Sequence, residues 1–538
     1  MELQEMALPV KNKVMQSYQS DIKFVHTFFD YENTQESYPD RMKELSERTY
    51  KRTELADAIR EFMKPFGISV AAHRHIEELG ENAVAVIGGQ QAGIMTGPLY
   101  SVHKAITVIL LAKKQRENLG VPVVPVFWVA GEDHDLNEIN HVYTESSGRI
   151  AKNQYPEKTI LKLMASDAVY DQQMMRSFVR DIFGEFGETS HTKRLLVDVL
   201  DAVEREKTFT AFFVRLMNGL FQEEGLLFID SAYPALRQLE SEYFSQFIED
   251  SPELAHLIYE KEKAFDEGGF GTPIMAQEDA AHLFYVHETG RILLSRENGE
   301  FVNRASGLRF SKEELLHIAE TEPWKLSNNV ASRPLMQDLV FPVLAFVGGP
   351  GEIAYWAVLK DAFHHFEMKM PIIVPRMSIT LIKPPIRQEL DKRSFSFPDI
   401  MAGAVANARD AFIAGLADER FESLIVETER LLSEQYEKMT VLLGEDYPMV
   451  GKLIGKNLEF HKKQISYLVD KKEEADLLKN DAILRSFDLL EADILPNSGL
   501  QERVYTPYSY MNEYGPTLIE DLLKLPFTLD TSHKIVYL

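Results

Sequence analysis

The chain contains no cysteine. That absence removes disulfide cross-links, thiolate zinc sites and covalent thiol catalysis together. A cysteine-free enzyme also cannot form a mixed disulfide with a thiol substrate, although chance explains the composition equally well. Long hydrophobic runs are missing too: the longest, Val121 to Ala130, falls far short of the ~20 residues that a membrane-spanning helix needs. The N-terminus shows no basic stretch followed by an apolar segment, as a secretory signal would. The expectation is a cytoplasmic protein with no membrane partner. Positive charge is in deficit, 58 Lys and Arg against 83 Asp and Glu, for a formal net charge of −25. Such a field repels polyphosphate backbones, so nucleic acid is not an expected partner.

What remains is an ordinary globular composition, 45% apolar and 26% charged in 538 residues, enough for roughly two to four structural units. The N-terminal region reads as amphipathic helices, with Phe24, Phe28 and Phe29 followed by Leu45, Leu55, Ile59 and Phe62 among charges, capping a core. Ala83 to Ile87 is a buried-strand run that ends in Gly88-Gly89 and the polar loop Gln90 to Gly93. A helix should begin near Thr96-Gly97-Pro98 and run to about Asn118, before Gly120. The next strand, Val121 to Val129, completes a βαβ unit with parallel strands and a right-handed crossover.

The same arrangement recurs at Leu226 to Ile229 with a helix at Pro234 to Phe247. It recurs again at Val343 to Val347, followed by Gly348-Gly349-Pro350-Gly351 and a helix through Ala354, Tyr355, Val358 and Leu359; a last strand follows at Ile372 to Val374. The fold class expected is therefore α/β, an open Rossmann-like parallel sheet flanked by helices. Residues 1–385 form this core, with insertions at about 150–215 and 255–325; residues 386–490 form a helical coiled coil, and 491–538 return to the core. In the coiled coil, Ile425, Leu432 and Met439 recur every seven residues, and Leu458, His461, Ile465 and Leu468 follow Ile454 at alternating four and three. A turn through Gly444-Glu445-Asp446-Tyr447-Pro448 makes the two arms an antiparallel hairpin. The first arm is rich in glutamate and the second in lysine, so they attract.

Four stretches carry the chemistry-bearing residues. Gly89, Gln90 and Gln91 end one strand, and the helix after Thr96 presents an N-terminus that favours a phosphate or carboxylate, with His103 and Lys104 one turn further on. Glu132, Asp133, His134 and Asp135 follow the second strand, where open α/β sheets bind ligands. They can include a general base, an ammonium-binding group or a metal site, and Asp133 or Asp135 is the candidate cap of the next helix. Their spacing matches no zinc motif, and no metal site is assigned. Arg333 suits a bidentate carboxylate contact, with Asn328 and Asn329 orienting hydroxyls; a capped loop with a surface Arg is the alternative. Gly349, Gly351, Glu352 and Tyr355 form a second glycine turn into a helix, opening into the same crevice as the first.

These stretches, in this order, resemble the bacillithiol synthase family, the cysteine-adding enzymes called BshC. The resemblance lies in Gly-Gly-Gln-Gln-Ala-Gly at 88–93, Thr-Gly-Pro-Leu-Tyr at 96–100, Phe-Trp-Val-Ala-Gly-Glu-Asp-His-Asp at 127–135, Ser-Arg-Pro-Leu-Met-Gln at 332–337, Gly-Pro-Gly-Glu-Ile at 349–353 and Tyr-Met-Asn-Glu-Tyr-Gly-Pro at 510–516. It implies a core related to class I synthetases and nucleotidyltransferases, and a homodimer formed through the coiled coil. It also implies a ligase that joins the cysteine carboxyl to the amine of glucosaminyl-malate in the last step of bacillithiol biosynthesis. On this resemblance Asp133, His134 and His103 are the catalytic candidates and Arg333 faces the malate carboxylates. His103-Lys104 and Arg376-Met377-Ser378 stand where synthetases carry their two signatures, each only a fragment. ATP with magnesium is thus a cofactor by analogy alone. The rival readings are a ligase of the same fold acting on another amine, and a non-catalytic scaffold that binds a thiol metabolite.

Overall fold

The computed structural model describes residues 1–10, 12–156, 163–443 and 446–538. Two compact units emerge: one of Met1–Thr144, Ala151–Ile382 and Gly499–Leu538, the other of Glu145–Ile150 and Lys383–Ser498.

The first unit is organised by five parallel strands: Val84–Gln90 (β1), Val123–Val129 (β2), Leu227–Asp230 (β3), Val343–Gly348 (β4) and Ile372–Pro375 (β5), in the spatial order β5-β4-β1-β2-β3. Apart from Gln90, every residue of these strands is buried, so both faces of the sheet are covered. Near-continuous Val, Ile, Leu and Phe runs are what such double coverage demands. Helix α1 (Leu99–Leu119) carries the chain from β1 to β2, and Gly120 ends it in the left-handed conformation. After β3 the chain returns on the other side of β1 to form β4. The carboxyl ends of β1 and β4 therefore flank the point where strand order reverses, the standing position for ligands in open α/β sheets.

The first glycine turn proves shorter than its sequence implied. Gly88, Gly89 and Gln90 are strand residues, paired with Phe127, Trp128 and Val129. A Cβ on Gly89 would stand 2.7 Å from the Trp128 carbonyl oxygen, so only glycine lets β1 run this far beside β2.

A second sheet is antiparallel, built from Leu308–Phe310, Glu300–Asn303, Gly290–Glu297, Ala280–His287 and Leu326–Asn328 in that spatial order. Its last strand leads into helix α2 (Ser332–Val340), which carries Arg333. A third sheet pairs Glu2–Met6 antiparallel and Ser378–Ile382 parallel with the C-terminal strand His533–Tyr537. The sequence reading assigned the N-terminal strand to a helical cap. Its alternation of Glu, Gln and apolar residues is too short to signal a strand without the distant partner that pairs it.

In the second unit, Glu419–Leu443 and Pro448–Lys479 run antiparallel. The pairing is fixed by Tyr436, whose hydroxyl donates to Asn457 and whose ring lies 5.9 Å from His461, and by Lys472 Nζ, 5.8 Å from the Phe421 ring centre. Gly444 and Glu445 of the expected turn lie outside the described residues. Neither arm contains a fully buried residue. Close ion pairs run along each helix, Glu427–Arg430–Glu434 on one and Lys471–Glu474 on the other, so the opposite charges of the arms act at longer range.

Candidate active site

At the switch point lies a pocket of about 430 Å³. Its floor is Gly89, Gln90 and Trp128 at the ends of β1 and β2, and one rim is Gly349, Pro350 and Gly351, the turn from β4 into helix α3 (Pro350–Trp356). The Gly349 N–H at this helix start is taken by Glu352 and Pro350 has none to offer, while Gly351 has no atom within 4 Å of where a side chain would begin.

The charged groups fall into pairs and non-pairs. Lys104, on α1, is buried with Nζ 2.5 Å from the Gly89 carbonyl oxygen, 3.1 Å from Gln90 Oε1 and 2.5 Å from Glu352 Oε2. Burial lowers its pKa and Glu352 opposes the change without cancelling it. Glu352 also accepts the Gly349 N–H at 2.8 Å, tying the β4 turn to the β1 end. Arg376, just after β5, makes a two-pronged ion pair with Glu502, Nη2 to Oε1 at 2.7 Å and Nη1 to Oε2 at 2.9 Å. Arg333 donates to the Tyr355 hydroxyl at 2.5 Å, whose pKa burial pushes up to about 12. On the acidic wall, the Gln91 side-chain amide donates to Asp133 Oδ2 at 2.6 Å and to Glu138 Oε2 at 2.7 Å.

Of the residues singled out in the sequence, Gly89, Gln90, Gln91, Lys104, Asp133, Arg333, Gly349, Gly351, Glu352, Tyr355 and Arg376 line this pocket together. The others stand elsewhere. His103 is fully buried and its Nδ1 lies 2.9 Å from Glu502 Oε2; burial lowers its pKa despite that carboxylate. Thr96 is buried at the entry to α1 with φ of 69°, beside Met95 at 52°, two non-glycine residues in the left-handed region. His134 packs edge-on against Phe284. Asp135 caps the short helix Leu136–Ile139 by accepting the Asn137 N–H at 3.2 Å. Asn329 binds the turn to Ser332 and contacts His282, and Asn328 gives its backbone N–H to Glu132. His103 and Arg376, the two signature fragments, both turn to Glu502, and His103 is shut off from the pocket.

Glu132 is not a pocket residue but the keystone of a buried network. It accepts from Arg237 Nη2 at 2.5 Å, Ser327 Oγ at 2.7 Å and the Asn328 N–H at 3.2 Å, with Arg291 at 3.6 Å. Burial alone would raise its pKa; Arg237 and Arg291 overcome this and lower it. Glu240 shares Arg237 at 2.7 Å but has no comparable support, and burial raises it to about 7. A carboxyl whose folded pKa is raised contributes stability that is complete below the unfolded value and is lost as pH rises through the folded one. Glu240→Gln should therefore gain on wild type as pH rises from about 4.5 to 8, by an amount on the order of 2–4 kcal/mol, and the two should run parallel above that. Thermal unfolding across that range checks it; parallel curves for the two proteins within it would rule it out.

Tyr100, Trp128, Ala130, Glu138, Pro350 and Arg503 also line the pocket, beyond the residues that the sequence motifs point to as its site. Glu138 is one turn beyond the acidic run, but five residues from Asp133 is not a spacing that shares a helical face, and it is Gln91 that brings the two together. Arg503 carries no local signal, because it arrives from the far end of the chain.

Residues 1–377 match the family model for the N-terminal Rossmann-like domain of bacillithiol biosynthesis BshC, and residues 379–538 match that for its C-terminal coiled-coil domain. Proteins of Lysinibacillus sphaericus, Geobacillus kaustophilus and Bacillus velezensis are 44%, 37% and 36% identical to the chain, each aligned over 100% of both sequences. The name of each describes a candidate cysteine ligase, BshC.

Proposed function

The chain belongs to the BshC family, and from that premise we propose that it is a carbon–nitrogen ligase adding cysteine to the amine of glucosaminyl-malate in bacillithiol biosynthesis. The observation that carries this reading is the mixed character of the pocket: two carboxylates joined by Gln91 suit an ammonium group, while guanidinium groups suit carboxylates.

In this reading Asp133 receives the proton released as the amine nitrogen bonds to the cysteine carboxyl carbon, and the group activating that carboxyl departs with its bonding electrons. Glu138 holds the ammonium before it reacts, and Arg333 holds a malate carboxylate. Lys104 and Glu352 fix the two strand ends on which these groups stand. Of the three catalytic candidates of the sequence only Asp133 takes that role, since neither His103 nor His134 lines the pocket.

The reading places the protein in the cytoplasm, as a homodimer formed through the helical hairpin. Leu453, Phe460 and Tyr467 recur every seven residues on one arm and are 62%, 64% and 57% exposed, a second apolar seam beyond the one closed within the hairpin.

Purified protein incubated with cysteine and glucosaminyl-malate should yield bacillithiol detectable by mass spectrometry, with product only when ATP and magnesium are present. Product without ATP would require another source of carboxyl activation. Product with other amino acids as readily as with cysteine would favour a ligase of different substrate, and binding without turnover would favour the scaffold reading.

A further inference from the structure

Two of the pocket's cations have no anionic partner. Lys104 is matched by Glu352 and Arg376 by Glu502. Among the described residues neither Arg333 nor Arg503 lies within ion-pair distance of a carboxylate, and the partners of Arg333 are neutral: the Tyr355 hydroxyl, and the Phe346 ring with its centre 5.4 Å away. In a chain of net charge −25, two guanidinium groups left unneutralised in one pocket point to an anion of two charges. The same pocket holds Asp133 and Glu138, which favour one cationic centre.

Arg503 is also held in place. Its neighbour Glu502 is locked to Arg376, His103 and the Ile379 N–H; Gln501 bonds both the N–H and the carbonyl of Leu381; Tyr505 accepts the Leu99 N–H at 2.8 Å; Thr506 donates to the Met95 carbonyl at 2.8 Å. The backbone of Arg503 is thus anchored on both sides while its side chain stays exposed at the pocket.

We propose that Arg503, delivered by the C-terminal segment, is a specificity-determining residue that binds one carboxylate of a dicarboxylate acceptor while Arg333 binds the other. This rests on the ligase reading above. One ammonium and two carboxylates describe glucosaminyl-malate, and they match the pocket's two acidic and two unpaired basic groups.

The test is steady-state kinetics of wild type, Arg503→Ala and Arg503→Lys with two acceptors: glucosaminyl-malate, and methyl glucosaminide, which keeps the amine but has no carboxylate. Arg503→Ala should raise KM for glucosaminyl-malate roughly 10- to 100-fold with kcat within about threefold, and lower the preference for it over methyl glucosaminide by the same factor. Arg503→Lys should recover part of the loss. An unchanged KM, an equal loss on both acceptors, or a rise in KM for ATP instead would overturn the proposal. Calorimetric titration with glucosaminyl-malate separates the two levels: wild type binding it and Arg503→Ala binding it equally well overturns only the role of Arg503. Wild type neither binding it nor turning it over overturns the ligase reading, and the proposal with it.

Discussion

Asp133→Asn should lower kcat for amide formation by roughly 10²- to 10⁴-fold, the usual worth of a positioned general base. The substitution keeps the size of the side chain. It also keeps one acceptor for the Asp135 N–H, which Asp133 Oδ1 holds at 3.2 Å. What it removes is the oxygen that Gln91 reaches at 2.6 Å, and with it the ability to accept a proton from the reacting amine. Gln91 spans Asp133 and Glu138 and orients both, so the substitution would also set one amide N–H against another where Gln91 now donates to a carboxylate. Binding of glucosaminyl-malate should weaken far less than kcat falls, because Glu138 still faces the pocket. Pre-steady-state measurement of the chemical step, beside calorimetric binding, distinguishes the two effects. A variant with wild-type kcat would remove Asp133 from the chemistry and return the question to its neighbours.

The sheet was legible in the sequence because buried parallel strands announce themselves as short apolar runs ending in glycine. Val123–Val129 and Val343–Gly348 fall where those runs predicted them, and Val84–Gln90 begins where expected but runs three residues further, through Gly88, Gly89 and Gln90. The position of the pocket was legible for the same reason: two glycine turns at the ends of strands must meet if those strands are neighbours, and β1 and β4 are. The direction of individual side chains was not. Glu132 and Asp133 are consecutive, yet one turns into Arg237 and Arg291 and the other into the pocket. That choice is made by two arginines 105 and 159 residues further along the chain, counted from Glu132 to Arg237 and Arg291. His103 failed as a pocket residue for a similar reason. It shares a helical face with Lys104 only approximately, and Glu502, invisible from the local pattern, claims its ring.

The C-terminal segment is where this dependence on distant partners is strongest, and Glu502→Gln should destabilise the first unit by about 3–5 kcal/mol at neutral pH, the cost of leaving a buried charge without its partner. Glu502 is buried and receives His103 Nδ1, both Nη atoms of Arg376, Ser378 Oγ at 3.1 Å and the Ile379 N–H at 3.1 Å. Burial by itself would raise its pKa, but Arg376 and His103 hold it well below 4.5. A carboxyl depressed in the folded state contributes stability that is present above its unfolded value and is lost as pH falls through its folded one. The gap between wild type and Glu502→Gln should accordingly be constant from pH 6 to 8 and narrow below about pH 4.5, as thermal unfolding would show. The double variant Arg376→Met with Glu502→Gln removes the uncompensated guanidinium and should regain much of the lost stability. It should not regain activity, since Arg376 lines the pocket and Glu502 sets the residue beside it, Arg503. A Glu502→Gln protein within about 1 kcal/mol of wild type would mean that Arg376 is neutralised by solvent instead. The C-terminal segment would then be held by its backbone and by Gln501, not by charge.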